Sequence, residues 1–277
     1  MEIYDFHQLF ESKEFQKVKA VISIGVFDGF HRGHQLILNS AKEEANKREN
    51  TKVVVFTFSQ NPKTVIGRNP YKNPLMTLRQ STEFFDDLNV DYLVVIDFSS
   101  DISKLTGREF IGRCCSMFDI QAVVVGEDFR CGHNADTGVQ ELLTIVNELC
   151  EGAILKVPPT YKLSDGRVDS STLVRHYLGS GEVSKIESLL GRPYTVDLAH
   201  LHSKSGSDFL RYSIGAFVQL LPPPGLYECL LVTREMEKFL AVCEIDSEYV
   251  TLKLENLPSG GLYFARFDNV EILKELT

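Results

Sequence analysis

The chain has 277 residues, 43% of them hydrophobic and 24% charged, which is enough apolar content for one large domain or two of ordinary size. Its 29 Lys and Arg against 38 Asp and Glu leave a net charge of −9, which argues against a general nucleic-acid binder with a broad basic face. No apolar run approaches the ~20 residues of a membrane-spanning helix, and the first twenty residues lack the basic start, apolar stretch and cleavage site of an export signal.

Strand and helix signals alternate up to about residue 157. Short β-branched runs stand at Ala20–Val26, Lys52–Phe58, Tyr92–Ile96, Ala122–Val125 and Ala153–Val157. They are apolar nearly throughout, as strands covered on both faces are. Helical stretches lie between them at His34–Arg48, Thr77–Leu88, Gly107–Met117 and Thr137–Cys150. In the first, Ile37, Ala41 and Ala45 make one apolar stripe. This alternation predicts an α/β domain with a parallel sheet. Two more helices are expected at Thr172–Gly179 and Glu182–Leu190.

After Gly191-Arg192-Pro193 the pattern changes to strands around Phe209–Ile214, Gly225–Thr233, Phe239–Ile245, Tyr249–Leu254 and Leu262–Ile272. Pro222–Pro224 and Ser259-Gly260-Gly261 mark turns, and only the last few residues read as helical. The expected organisation is an α/β domain over residues 1–193 and a small all-β, barrel-like domain over 194–277. The six cysteines, Cys114, Cys115, Cys131, Cys150, Cys229 and Cys243, form no C-x-x-C pair and no zinc-finger spacing. They are expected as reduced thiols of a cytoplasmic protein.

The informative stretch is Val21-Ile22-Ser23-Ile24-Gly25-Val26-Phe27-Asp28-Gly29-Phe30-His31-Arg32-Gly33-His34-Gln35. A buried strand runs into a glycine-punctuated loop and then a helix, at the sheet edge where α/β proteins bind ligands. His31 and His34 are three apart, Gly33 leaves room for a phosphate, and a helix N-terminus attracts anions. The pattern reads as a polyphosphate cradle. No G-x-x-x-x-G-K-[ST] or G-x-G-x-x-G occurs, so it is neither a Walker loop nor a dinucleotide fingerprint. A lone histidine beside a turn would be an ordinary surface residue; two histidines and two glycines behind a strand outweigh that reading.

H-x-G-H after a first strand marks the nucleotidyltransferase superfamily related to class I aminoacyl-tRNA synthetases. The longer string G-V-F-D-G-F-H-R-G-H-Q resembles the FAD synthetase module of the bacterial bifunctional riboflavin kinase/FAD synthetases. Val55-Phe56-Thr57-Phe58 with Pro62, Val125-Gly126-Glu127-Asp128-Phe129-Arg130 with Gly132, Ser170-Ser171-Thr172-Leu173-Val174-Arg175, and Leu190-Gly191-Arg192-Pro193-Tyr194 resemble further motifs of that family in the same order.

The resemblance implies a Rossmann-like nucleotidyltransferase domain followed by a riboflavin-kinase-like barrel. The implied reaction is adenylyl transfer from ATP to FMN, giving FAD and pyrophosphate, with Mg2+ on the polyphosphate and no protein metal ligand assigned. It implies that His31 and His34 steady the phosphates, and that Gly25, Val26, Phe27, Asp28 and Gly33 line the nucleotide. Ser171, Thr172 and Arg175 would close over the β- and γ-phosphates. A Ser-Ser-Thr opening a helix offers hydroxyls and free N–H groups, and arginine offers a phosphate-matching fork. On that segment alone, a plain helix cap is an equally good reading. Asp128 and Arg130 at a strand end suit a ribose or phosphate contact, against the alternative of a loop salt bridge. Thr57 and Asn61 fall in the segment implied to meet the flavin.

Two departures stand out. After Phe58 the residues are Ser59-Gln60-Asn61-Pro62, where the family usually has an acid and then Pro-His-Pro. Only 84 residues follow Pro193, fewer than the family's kinase barrel uses. The kinase's Thr and Asn positions fall on Ile214 and Ala216, which carry no oxygen for a hard cation. Glu248 and Glu255 are weak stand-ins for its catalytic glutamate. Loss of riboflavin phosphorylation is the expectation. The alternatives are a non-catalytic nucleotide- or flavin-binding regulatory protein, and an H-x-G-H transferase with another substrate. Segments 61–75 and 130–137 are candidate substrate lids by composition.

Overall fold

The computed structural model describes residues 1–11, 18–65, 67, 73–98, 101–254 and 267–276. Contacts divide the chain into two compact units. One comprises Met1–Phe27, Gly33–Lys72 and Ser81–Lys162; the other comprises Asp28–Arg32, Asn73–Gln80 and Leu163–Thr277.

In chain order the first elements are β1 (Glu2–Asp5), α1 (Phe6–Glu11), β2 (Val18–Ile24), α2 (Arg32–Asn46), β3 (Lys52–Phe58), α3 (Pro62–Val65), α4 (Leu78–Asp87) and β4 (Tyr92–Ile96). They are followed by α5 (Gly107–Met117), β5 (Phe118–Val124), α6 (Val139–Leu149) and β6 (Ile154–Lys156). The six strands form one sheet in the order β1-β4-β3-β2-β5-β6, every neighbouring pair parallel. The expected parallel α/β architecture is therefore present. Ala20, Ile22, Ile24, Val54, Phe56, Val94 and Ile96 pack in one core with Phe6, Phe110, Ile111, Cys114, Leu142 and Val146. The alternate strand residues Val21, Ser23, Val53, Val55 and Leu93 are buried as well, as are Leu38, Ala41 and Ala45 of α2. Burial on both faces explains the unbroken apolar runs. Ser23 is the polar exception, and its hydroxyl donates to the Val124 carbonyl at 2.9 Å.

The strand order places the site. From β2 the chain steps through β3 and β4 on one side, then returns to put β5 on the other, with Ser23 opposite Val55 and also opposite Val124. That reversal is the switch point at which open α/β sheets leave a crevice beyond their carboxyl ends. The segments after Ile24 and after Val124 both leave from it.

The second unit holds α7 (Ser171–Gly179), α8 (Ile186–Leu190) and an antiparallel seven-stranded sheet. Its strands are β7 (Tyr194–Asp197), β8 (Lys204–Ser205), β9 (Phe209–Ser213), β10 (Gly225–Thr233), β11 (Lys238–Ile245), β12 (Tyr249–Leu254) and β13 (Phe267–Leu276), ordered β7-β13-β10-β11-β12-β9-β8. Alternate residues such as Tyr227, Cys229 and Leu231, or Ala241, Cys243 and Ile245, face one core. Val174, Tyr177, Leu178, Ile186, Leu189 and Leu190 share it, so residues 163–193 pack with this sheet although their sequence pattern continues the α/β run. Segment 73–80 is stitched to the same sheet: Arg79 grips Asp197 through two nitrogens at 2.9 and 2.8 Å, and Gln219 donates to the carbonyls of Leu75 and Thr195 at 2.8 and 2.7 Å.

Several expectations are corrected. The chain's last residues are strand, not helix, because β13 pairs with β10 out to Leu276. Cys115 and Cys150, expected as separate thiols, are brought side by side by α5 and α6, with their Cα atoms 6.4 Å apart. Segment 130–137 is a tied turn: Cys131 and Thr137 exchange two backbone hydrogen bonds, and the His133 N–H donates to the Leu105 carbonyl at 2.8 Å. The turn at 259–261, the strand start at Leu262, Glu255 and much of segment 61–75 lie outside the described residues.

One buried charge in the first unit has a pH consequence. The Glu44 carboxylate of α2 accepts from Lys47 at 2.7 Å, Arg48 at 3.0 Å and Lys156 of β6 at 3.0 Å. The Lys47 and Arg48 bonds, then Lys156, hold its carboxyl down from 4.5 to about 2, against the opposing effect of burial. A carboxyl depressed in the folded state stabilises above its unfolded value and loses that contribution as pH falls through the folded one. Glu44→Gln is expected to cost about 1–2 kcal/mol at pH 7, allowing for solvent around the lysines. Urea denaturation of both proteins should show the gap narrowing between pH 4.5 and pH 2; a constant gap would contradict the assignment.

Candidate active site

The segment after β2 begins inside the sheet's hydrogen-bonding pattern, with the Gly25 N–H donating to the Phe56 carbonyl at 3.0 Å. The Thr57 hydroxyl lies 3.5 Å from the Val26 carbonyl and is buried. Thr57, expected to meet the flavin, is therefore floor beneath the loop. Phe27 has a φ of 51° and Phe30 of 49°, and both rings are buried. Left-handed backbone at bulky residues costs on the order of 1–3 kcal/mol and persists where surroundings hold it. In the first unit the Phe27 ring meets the edges of His34 and Phe85, with centroids 5.4 and 5.5 Å apart. His34 stands in the first turn of α2 and is half-buried. The helix starts at Arg32, so His31 is the residue before it rather than a member of its first turn.

In the second unit, residues 28–32 are held by a mesh of polar contacts. Asp28 Oδ1 accepts from the Leu75 N–H at 2.7 Å, and Oδ2 pairs with Arg175 Nη2 at 2.5 Å. Arg175 Nη1 donates to the Asn73 carbonyl at 2.8 Å, and the Ser171 hydroxyl donates to the Asp28 carbonyl at 2.7 Å. Arg192 Nη2 reaches the Gly29 carbonyl at 3.3 Å, and burial draws its guanidinium down to about 10. Gly29 has a φ of +82°, and a Cβ there would stand 2.8 Å from the Leu75 side chain, so only glycine fits without strain.

This mesh revises two expected roles. Arg175 is only 6% exposed and its two terminal nitrogens serve Asp28 and Asn73, so it clamps the loop instead of presenting an open fork. Ser171 is a second tie to the same loop. Ser170 caps α7 by accepting from the Leu173 N–H at 3.3 Å, while Thr172 stays exposed in the first turn. The cap and the exposed hydroxyl are thus different residues of one motif.

Elsewhere in the first unit, Asp128 and Arg130 are exposed on the segment after β5. Arg130 Nη1 lies 2.4 Å from where a Cβ of Gly138 would stand, so its guanidinium rests over the start of α6 only because residue 138 has no side chain. Asn61 caps the single turn of α3, its Oδ1 accepting from the Lys63 N–H at 3.0 Å. Gly33 is partly exposed at the head of α2. Among the described residues no group of three or more His, Cys, Asp or Glu side chains is placed to hold a metal ion, and no helix is long and apolar enough to cross a membrane.

One residue escaped the sequence reading. Asp169, 3% exposed, places Oδ2 3.5 Å from His31 Nδ1. The available signal was an acid directly before Ser170-Ser171-Thr172, which reads from sequence as ordinary helix-start chemistry.

Comparison with known proteins identifies the family. Residues 13–172 match the family model for FAD synthetase. A Bacillus subtilis bifunctional riboflavin kinase/FMN adenylyltransferase is 29% identical over 237 residues, covering 83% of this chain and 72% of the relative. An Escherichia coli K12 protein of the same description is 29% identical over 193 residues, and the match spans 66% of this chain and 57% of that relative's length. Among solved structures, one described as a macrolide-efflux protein from Streptococcus pneumoniae superposes with a TM-score of 0.81 over the whole chain and 91% of its own length. At 20% identity that likeness speaks for the fold alone. With more than half of its residues inside the family model, the chain belongs to the FAD synthetase family.

Proposed function

We propose that this protein is an FMN adenylyltransferase. A phosphate oxygen of FMN attacks the α-phosphorus of ATP; the new P–O bond forms as the α–β bridging P–O bond breaks, and the electron pair leaves with pyrophosphate. Such chemistry needs alignment and neutralisation of charge more than a covalent nucleophile. The observation that carries the proposal is the H-x-G-H segment, His31 to His34, leaving the sheet's switch point inside a stretch that matches the FAD synthetase model.

His31 and His34 are the groups that meet the triphosphate and the charge growing on pyrophosphate. The backbone from Gly25 to Asp28, with Gly33, lines the nucleotide, and the family resemblance assigns contacts with its phosphates or ribose to Thr172, Asp128 and Arg130, each of them exposed. Arg175 and Ser171 act by holding the loop. Magnesium enters as the complex with ATP, supplying positive charge on the polyphosphate. With a net charge of −9 the protein works on small molecules rather than nucleic acid.

The β-sheet unit no longer phosphorylates riboflavin. Ile214 and Ala216 sit in a short helical turn after β9, where the kinase would need side-chain oxygens for its cation. FMN must therefore come from a separate reaction that phosphorylates riboflavin.

Purified protein given FMN and magnesium-ATP should release FAD and pyrophosphate in equal amounts. His31→Ala and His34→Ala should each lower kcat by ~10²-fold, the usual scale for removing one transition-state donor. Binding of ATP or FMN without pyrophosphate release would indicate a regulatory binder, and full activity in both variants would remove the histidines from the mechanism. Given riboflavin and ATP, the protein should form no FMN on chromatography; steady turnover there would contradict loss of the kinase step.

A further inference from the structure

We infer that Asp169 is a positioning residue for His31, an inference that rests on the function proposed above. Asp169 lies in the second unit just before Ser170, the cap of α7. Its carboxylate is removed from water, with a side-chain exposure of 0%, and His31 is nearly as buried. Removing a carboxylate from water costs several kcal/mol unless charge or hydrogen bonds compensate it. The imidazole is a cationic-capable group beside it, with Nδ1 3.5 Å from Oδ2.

That separation is an ion-pair distance, longer than a well-made N–H···O bond of about 2.7–3.2 Å. Such pairs are commonly loose before substrate binds and tighten when charge develops. A carboxylate beside Nδ1 keeps the proton on that nitrogen, fixes the tautomer and turns Nε2 into the atom that meets the ligand. As negative charge builds on the leaving pyrophosphate, a ring carrying protons on both nitrogens donates a hydrogen bond from Nε2 while Asp169 holds the Nδ1–H, and no bond to His31 is made or broken.

A capping role does not account for this arrangement. Ser170 already accepts from Leu173, so α7 has its cap without Asp169. Asp28, the other acid of the loop, is committed to the Leu75 N–H and Arg175. Asp169 is therefore the acid that the fold sets beside the histidine rather than beside the loop's clamp.

Asp169→Asn keeps shape and removes charge. It should lower kcat about tenfold or more while the KM values for ATP and FMN stay within about twofold, the signature of an interaction felt in the transition state. On a His31→Ala background the same substitution should add nothing, because the carboxylate acts through the ring. In nitrogen-15 histidine spectra of the free protein, His31 should carry its proton on Nδ1, and Asp169→Ala should abolish that preference. The inference is overturned by an unchanged kcat, by an equal proportional loss on the His31→Ala background, or by a wild-type His31 protonated on Nε2 alone. A wild-type protein that makes no FAD overturns the proposed function instead, and the spectra then decide the pairing by themselves.

Discussion

The ion pair between Asp28 and Arg175 is the contact on which the loop depends. Its members are 147 positions apart, with side-chain exposures of 11% and 5%. Around it converge the Leu75 N–H, the Asn73 carbonyl and the Ser171 hydroxyl. Removing one partner of such a pair strands a buried charge, at a cost of about 3–5 kcal/mol. The loop beside it contains two phenylalanines at positive φ, and a segment with that strain would relax if nothing held it. The clamp and the buried rings together keep a strained turn in one conformation, which is what a reaction dependent on alignment requires.

This arrangement divides labour among residues that sequence groups together. In the Ser170 to Arg175 segment, one hydroxyl caps a helix, the next ties down the loop, and the arginine anchors it. Only Thr172 is left facing solvent. The same division runs through the first unit, where Thr57 and Asn61 support backbone while His34 occupies a helix's opening turn. Preorganisation of this kind places donors before the substrate arrives, so little reorganisation is needed as charge develops.

The sheet strands were legible because burial on both faces leaves runs such as Lys52–Phe58 apolar from end to end. β1 was not, because Glu-Ile-Tyr-Asp is a short edge strand with Glu2 and Ile3 exposed and too few apolar residues to register. The H-x-G-H loop was readable from its glycines and histidines. The fate of Arg175 was not, since whether a guanidinium faces a ligand or a carboxylate depends on Asp28 meeting it across the fold. Asp169 escaped for the same reason: an acid at a helix start has an ordinary local explanation, and its neighbour His31 is 138 positions away in sequence. The grouping of α7 and α8 with the antiparallel sheet was likewise hidden, because their apolar faces fit either kind of partner.

The central claim is that the Gly25–His34 segment is a nucleotide cradle set in advance by the Asp28–Arg175 pair. Its most direct measurement is a crystal structure of the protein with magnesium and an ATP analogue that cannot be cleaved between the α- and β-phosphates. The account predicts phosphate oxygens within about 3.2 Å of ring nitrogens of both His31 and His34, with Arg175 still on Asp28. A triphosphate bound elsewhere, or bound here only after Arg175 has left Asp28, would contradict it.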